Sequence, residues 1–436
     1  MHPMIKPALR RSWRGRHTMQ MGVTRAHAVS IQPVDDATGL FLRRLDGTRG
    51  LDALRREAHA FGLSPRAVDV LVARLTRAGL IDEGPPPPND TGTPRDGHPT
   101  STALPRRIHR CPRPGPPAPH RPAPSDAAPS EPPPSPAARA GAGRAGAGRA
   151  DAAASPSPPA GAGRRGGAIP ARLRGDQASL SVVHPEPGAA ADRLRARRGL
   201  RVVVRGAGRV GAPVAALLSA AGVGGVEVLD GGCVEPWDVA PGGVAAADVG
   251  RRRKDAALGA VRRARPWPVA RGGCPDGAVA LVVLAPRDGL GAYAPDPEVA
   301  RPYREAGIPH VYAGVLEGTG VVGPLVLPGG SACAGCLAAA RAEQEPEWPR
   351  MLAQWRAGDD REGVAACDVA LATMVAGLTA AHALTFLDGR LPACTGARLE
   401  CALPGLAWEL TKLDPHPRCG CGAAAAADRD TGVAHV

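Results

Sequence analysis

Apolar positions fall into two patterned regions separated by one without a period. In residues 1–84, two short β-like runs (18–23 and 28–34) precede three stretches of helical spacing at 36–45, 51–61 and 65–78. In the last, Val68, Leu71, Val72, Leu75 and Leu80 recur along one face. Ser64 before Pro65 offers an N-cap and a proline at the first helical position, and Gly79 a C-cap, after which residues 80–82 leave as a strand or wing. From residue 176 onward, β-like runs (201–205, 226–229, 279–284, 310–313) alternate with helical stretches (209–221, 254–265, 297–306), and the apolar run 369–387 reads as a buried helix. That alternation predicts an α/β fold with a doubly wound, mainly parallel sheet. Between 85 and 175 there is no pattern. Four prolines at 85–88, a proline-rich run to Pro136 and the repeat GAGRAGAGRA at 141–150 bury too little apolar surface to offset chain entropy. Three segments are expected: a small α+β module over 1–84, a disordered linker over 85–175 that leaves the two ends independent, and the α/β domain over 176–436.

Charge changes this picture less than its size suggests. The formal net charge is +13, but thirteen arginines against five acids between Pro85 and Gly175 place +8 of it in the linker. The patterned regions are only mildly basic, and the 65–78 helix offers Arg66, Arg74 and Arg77 against Asp69, without Asn or Gln to read bases. No nucleic-acid partner is expected. No uninterrupted run of 18 apolar residues occurs, so no membrane span is expected, and the basic N-terminus lacks the apolar stretch of a signal peptide. Ten cysteines, several close-set, suit metal ligation in a reducing compartment, and a cytoplasmic location is expected.

The chemistry concentrates in the α/β domain. Strand 201–205 runs into Gly206-Ala207-Gly208-Arg209-Val210-Gly211 and then a helix. Gly206 permits the tight turn, Gly208 lets backbone approach a phosphate, and Gly211 lets helix and strand pack closely. The helix start presents N–H groups and partial positive charge to phosphates. The next strand ends at Asp230, where a carboxylate can meet a ribose hydroxyl. This context indicates a Rossmann-like unit and leaves NAD, FAD and ATP open. Cys333 and Cys336 form one close pair, Cys419 and Cys421 another far along the chain, a pattern suited to a tetrahedral structural zinc. His416 is a candidate substitute ligand. Cys233, Cys274, Cys394 and Cys401 read as small apolar residues, Cys367 as a core or helix-cap position, and Cys111 receives no role.

Four segments in order, VLDGGCVEPWDVAPGG, ADVGRRRKDAA, LVVLAPRDG and GIPHVYAGVLEGTGVVGPLVLPGGSACAGCL, resemble the ThiF/MoeB (ubiquitin-activating-type) adenylyltransferase family over about residues 200–421. The resemblance implies ATP and Mg2+ as well as structural Zn2+, with a carboxylate of a ubiquitin-like or sulfur-carrier protein, or of a precursor peptide, as substrate. It places Asp288 at the magnesium position, Arg253 at a phosphate-contacting lysine position with Lys254 beside it, and Gly206, Gly208, Gly211 and Asp230 at the nucleotide. Homodimers are common in that family. Two positions depart: Gly232 stands where the family has a second aspartate, and Pro241 where it has an arginine to the phosphates. Residues 45–81 also resemble a PqqD-like winged helix, a peptide-recognition element in peptide-modifying systems. Adenylation is the preferred function. The alternative is an eroded ThiF-like scaffold that delivers a leader peptide to a partner enzyme, and an NAD-dependent oxidoreductase leaves the cysteine pairs unexplained.

Overall fold

In the computed structural model, which describes residues 1–84, 168–268, 278–358 and 365–426, two of the apolar runs from the α/β region become adjacent central strands. The N-terminal module contributes β1 (Pro3–Ile5), β2 (Arg11–Trp13), β3 (Met19–Met21), β4 (Val29–Ile31), α1 (Asp36–Arg44), α2 (Leu51–His59), α3 (Pro65–Arg77) and β5 (Ile81–Glu83). The large domain continues with α4 (Arg174–Val183), α5 (Ala189–Arg198), β6 (Arg201–Arg205), α6 (Gly211–Ala220), β7 (Gly225–Leu229), α7 (Arg253–Ala264), β8 (Val279–Leu284), α8 (Leu290–Tyr293) and α9 (Pro297–Glu305). It ends with β9 (His310–Leu316), β10 (Thr319–Val326), α10 (Ala334–Gln344), α11 (Trp348–Ala357), α12 (Val369–Leu387), β11 (Ala397–Ala402) and β12 (Trp408–Lys412).

The large sheet runs β12-β11-β10-β9-β8-β6-β7. Strands β6, β7, β8 and β9 pair in parallel, and β10, β11 and β12 extend the β9 edge with antiparallel pairings, so only β10 and β12 oppose the rest. The expected α/β fold with a mainly parallel sheet is present. Its valine-rich strands are buried on both sides, as parallel strands covered by helices require. Val202, Val204, Leu281 and Val283 face a core with α6, α7 and α12, while Val203, Val282, Leu284 and Tyr312 face one with Ala300 of α9 and Cys333 and Cys336 at the start of α10. Alternate residues of one strand therefore serve two cores.

Helix α12 is long and apolar enough to cross a membrane, which the absence of an uninterrupted apolar run did not anticipate. Leu371, Val375, Ala376 and Phe386 bury one face of it against the sheet. It is a core helix, and its burial explains its composition. At its end, Asp388 receives Arg197 in a bidentate pair (2.8 and 2.6 Å), with the two side chains 5% and 6% exposed, and Arg197 also donates to the Ala221 carbonyl (3.1 Å).

In the module, Ser64 caps α3 by accepting the Ala67 N–H, β1 pairs with β5, and β2, β3 and β4 form a separate antiparallel sheet. The helices lie where periodicity put them; β1 and β2 are additional. The module is not independent of the large domain. Gln354 of α11 donates to the Trp13 carbonyl and accepts its N–H (3.0 and 2.8 Å), Arg14 pairs with Glu345 (2.8 Å), and Val23 joins the apolar cluster of Leu290, Tyr293, Met351 and Trp355. Most of the expected linker lies outside the described residues.

Removing one partner of a buried, hydrogen-bonded pair strands the other charge, so Asp388→Ala is expected to lower unfolding free energy by about 3–5 kcal/mol. Urea unfolding followed by circular dichroism checks this. A loss below about 1 kcal/mol, the value of a surface pair, contradicts the buried role.

Candidate functional site

Strand β6 ends at Arg205 and the chain turns through Gly206 with φ 98°. A Cβ at Gly206 would overlap the Ala285 carbonyl, and one at Gly211 would overlap the Gly206 carbonyl. Both glycines are demanded by backbone contact. Gly208 is less constrained, with the Arg287 side chain beside it. Helix α6 begins only at Gly211, two residues later than its apolar pattern suggested. Asp230 clamps the turn, accepting the Ala207 N–H with Oδ2 and the Gly232 N–H with Oδ1 (both 2.9 Å).

Behind this clamp lies a compact charge cluster. Arg253 places Nε 3.4 Å from Asp230 and 3.7 Å from Asp238. Arg287 binds Asp238 (2.6 Å) and Glu235. Burial opposes the Arg287 charge, but the Asp238 and Glu235 carboxylates outweigh it and hold its pKa above the ordinary arginine value. Gly232 has a specific cause here: a side chain at that position would run into the Arg253 guanidinium. Arg251 pairs with Asp248, Arg252 reaches the Gly231 carbonyl, and Pro241 is exposed.

A cavity of about 670 Å³ opens at the carboxyl ends of β6, β7 and β8. Its wall brings together four residues singled out in the sequence, Gly206, Asp230, Lys254 and Asp288. Arg253 is directed into the charge cluster instead, leaving Lys254 as the cation at the wall among the sequence candidates. Arg205, Tyr312 and Arg356 also line the cavity. Arg205 was legible as the last residue before the glycine turn; Arg356, at the end of α11, carried no signal. Tyr312 is buried and its hydroxyl pKa is raised, chiefly by that burial.

The four cysteine sulfurs Cys333, Cys336, Cys419 and Cys421 lie within 4.8 Å of one another. Neighbouring Sγ atoms are 3.9, 3.6 and 3.5 Å apart, far beyond a disulfide. A tetrahedron with metal–sulfur bonds of about 2.3 Å has edges of about 3.8 Å, so the spacing fits a thiolate-bound metal. Crowded thiols share protons unequally: hydrogen bonding with Cys336 draws Cys333 down to about 4, whereas burial and the charge on Cys333 push Cys419 up to about 11. His416 stands outside the set. Its Nδ1 accepts the Arg418 N–H (3.2 Å) and its Nε2 meets Glu343 (3.1 Å). Among the other cysteines, Cys394 and Cys401 are buried in the core and Cys367 packs against it, its thiol pushed up to about 11 by burial. Cys233 is disulfide-bonded rather than a lone apolar residue, and Cys111 and Cys274 lie outside the described residues.

Solved structures that match the chain include E. coli MccB with AMPCPP and MccA, at TM-score 0.44 and 12% identity over 97% of this chain and 99% of that one. The microcin C7 biosynthetic enzyme MccB with N-formylated MccA matches at TM-score 0.43 and 12% identity, over 97% and 100%. The heterocyclase TruD matches at TM-score 0.38 and 13% identity, over 98% of this chain and 44% of that one. No curated protein matches the chain in sequence. The ThiF family pattern matches residues 187–423, more than half of the 436 residues and the whole of the glycine turn, cavity and cysteine cluster. The chain belongs to the ThiF family.

Proposed function

We propose that this ThiF-family chain activates a peptide carboxylate by ATP-dependent adenylation. The observation that carries this reading is the cavity where Gly206, Asp230, Lys254 and Asp288 meet at the carboxyl ends of parallel strands. In that reaction a carboxylate oxygen attacks the α-phosphorus, an O–P bond forms as the bond to the β-phosphate oxygen breaks, and pyrophosphate leaves with the electron pair. The glycine turn and the start of α6 hold the phosphates through backbone N–H groups and the helix dipole. Lys254 stabilises charge developing on the α-phosphate, and Asp230 faces the ribose. Asp288, a half-exposed carboxylate at the wall, suits a magnesium ion shared with substrate phosphates, which would neutralise the leaving pyrophosphate. With Pro241 in place of the phosphate-contacting arginine, Arg205 and Arg356 are further cations that this chain itself brings to the cavity. The N-terminal module, read as a PqqD-like winged helix, would present the peptide. Its docking on α11, whose last turn carries Arg356 to the cavity, favours a peptide over a free small acid.

The test is pyrophosphate exchange into ATP, with zinc-loaded full-length protein and short peptides bearing free carboxylates as probes. Exchange is expected in the wild type, with losses of at least about 100-fold in Asp288→Ala and in Lys254→Ala. Absence of both exchange and ATP binding in the wild type contradicts adenylation and leaves the scaffold reading.

Zinc is the metal we assign to the four thiols, stapling the turn after β12 to the start of α10. Elemental analysis is expected to find about one zinc per chain, and Cys336→Ser to lose it together with a lowered melting temperature. Metal-free wild type of unchanged stability contradicts the assignment.

A further inference from the structure

We propose that Arg10, in the N-terminal module, is a positioning residue for the Asp288 carboxylate, so that the docked module completes the nucleotide cavity. The inference rests on the adenylation reading above and deepens it.

The contact is built from backbone outward. Strands β9 and β10 join through Glu317 and Gly318, both at positive φ (49° and 73°), the geometry of a type I′ hairpin turn. Asn or Gly is the usual first residue there, and a glutamate in the left-handed region is strained. Its carboxylate offsets that strain. It is 6% exposed and accepts the Arg10 N–H (2.8 Å), the Val23 N–H (2.6 Å) and, more weakly, the Thr24 N–H (3.4 Å). The hairpin tip of the large sheet therefore grips the module by its main chain.

Arg10 is then fixed at both ends. Its backbone is held by Glu317, and its guanidinium donates to the Trp355 carbonyl (3.1 Å) through one terminal nitrogen. The other terminal nitrogen stands 3.3 Å from Asp288 Oδ2. The side chain is 11% exposed, against 57% for Asp288. Surface ion pairs usually gain little because two mobile chains must be ordered. Here the long partner is already ordered by other bonds, so the pair acts chiefly on the orientation of Asp288.

The frame of Asp288 shares the same base. Gly289 has φ 72°, and a Cβ there would overlap the Val315 carbonyl of β9, two residues before Glu317. The end of β9 thus locates both the Asp288 turn and the anchor of Arg10. Charge points the same way. Asp230, Asp288 and Asp296 line the cavity; Asp230 meets Arg253 (3.4 Å), Asp296 meets Arg356 (3.5 Å), and Asp288 meets Arg10 (3.3 Å).

Calorimetric titration of full-length protein with ATP in the presence of magnesium tests this. Arg10→Met is expected to weaken ATP binding about tenfold, and Arg10→Lys by no more than about threefold. In an Asp288→Asn background the Arg10→Met change is expected to be under about twofold, the non-additivity of residues acting through one another. Equal losses in both backgrounds, or ATP binding unchanged in Arg10→Met, overturn the inference and leave adenylation standing. A fall in melting temperature without that non-additivity marks a merely structural Arg10 and overturns it too. A wild type that binds no ATP overturns the adenylation reading and this inference together.

Discussion

Everything at the candidate site follows from one close backbone approach. Gly206 passes the end of β8 so tightly that its α-hydrogen side faces the Ala285 carbonyl, and Gly211 closes on the Gly206 carbonyl in turn. Any side chain there would separate β6, α6 and the segment after β8. Because those backbones touch, the segment carrying Arg287 and Asp288 has a fixed place beside the glycine turn. Asp230 adds a second restraint by tying the turn to the end of β7. The cavity is therefore set by sterics first and by charge second.

Charge is arranged in two layers. The inner layer joins buried Arg253, Asp230 and Asp238 to the half-buried Arg287–Glu235 pair and spends its cations on its own carboxylates. The outer layer, Lys254, Arg205 and Arg356, faces the cavity. Gly232 leaves room for the Arg253 guanidinium, whose terminal nitrogen lies where a Cβ at 232 would stand. Arg10 of the module meets Asp288 of the cavity wall, and the four-cysteine cluster joins the core on the other face of the sheet through Cys333 and Cys336.

The helices of the module and the parallel strands were legible because periodicity and end signals agreed; Ser64-Pro65 marked the start of α3 to the residue. The glycine turn and the cysteine set were legible from spacing, since few other arrangements require those residues so placed. Three features were not. The antiparallel strands β10, β11 and β12 lack the helix between strands that marks a crossover, and they followed no expected pattern. The direction of Arg253 depends on Gly232 and Asp238, and adjacency in sequence to Lys254 could not separate the two. Glu317 carried no signal in sequence, because its partners Arg10 and Val23 lie about three hundred positions earlier. Contacts made by backbone N–H groups leave no trace in residue type.

Hydrogen–deuterium exchange of the full-length protein, with and without a non-hydrolysable ATP analogue, tests the central claim most directly. Protection is expected in peptides covering Gly206–Ala212, Asp230–Gly232 and Pro286–Leu290, with little change in α12 or β12. No protection, or protection confined to segments away from the glycine turn, would contradict the assignment of this cavity to a nucleotide.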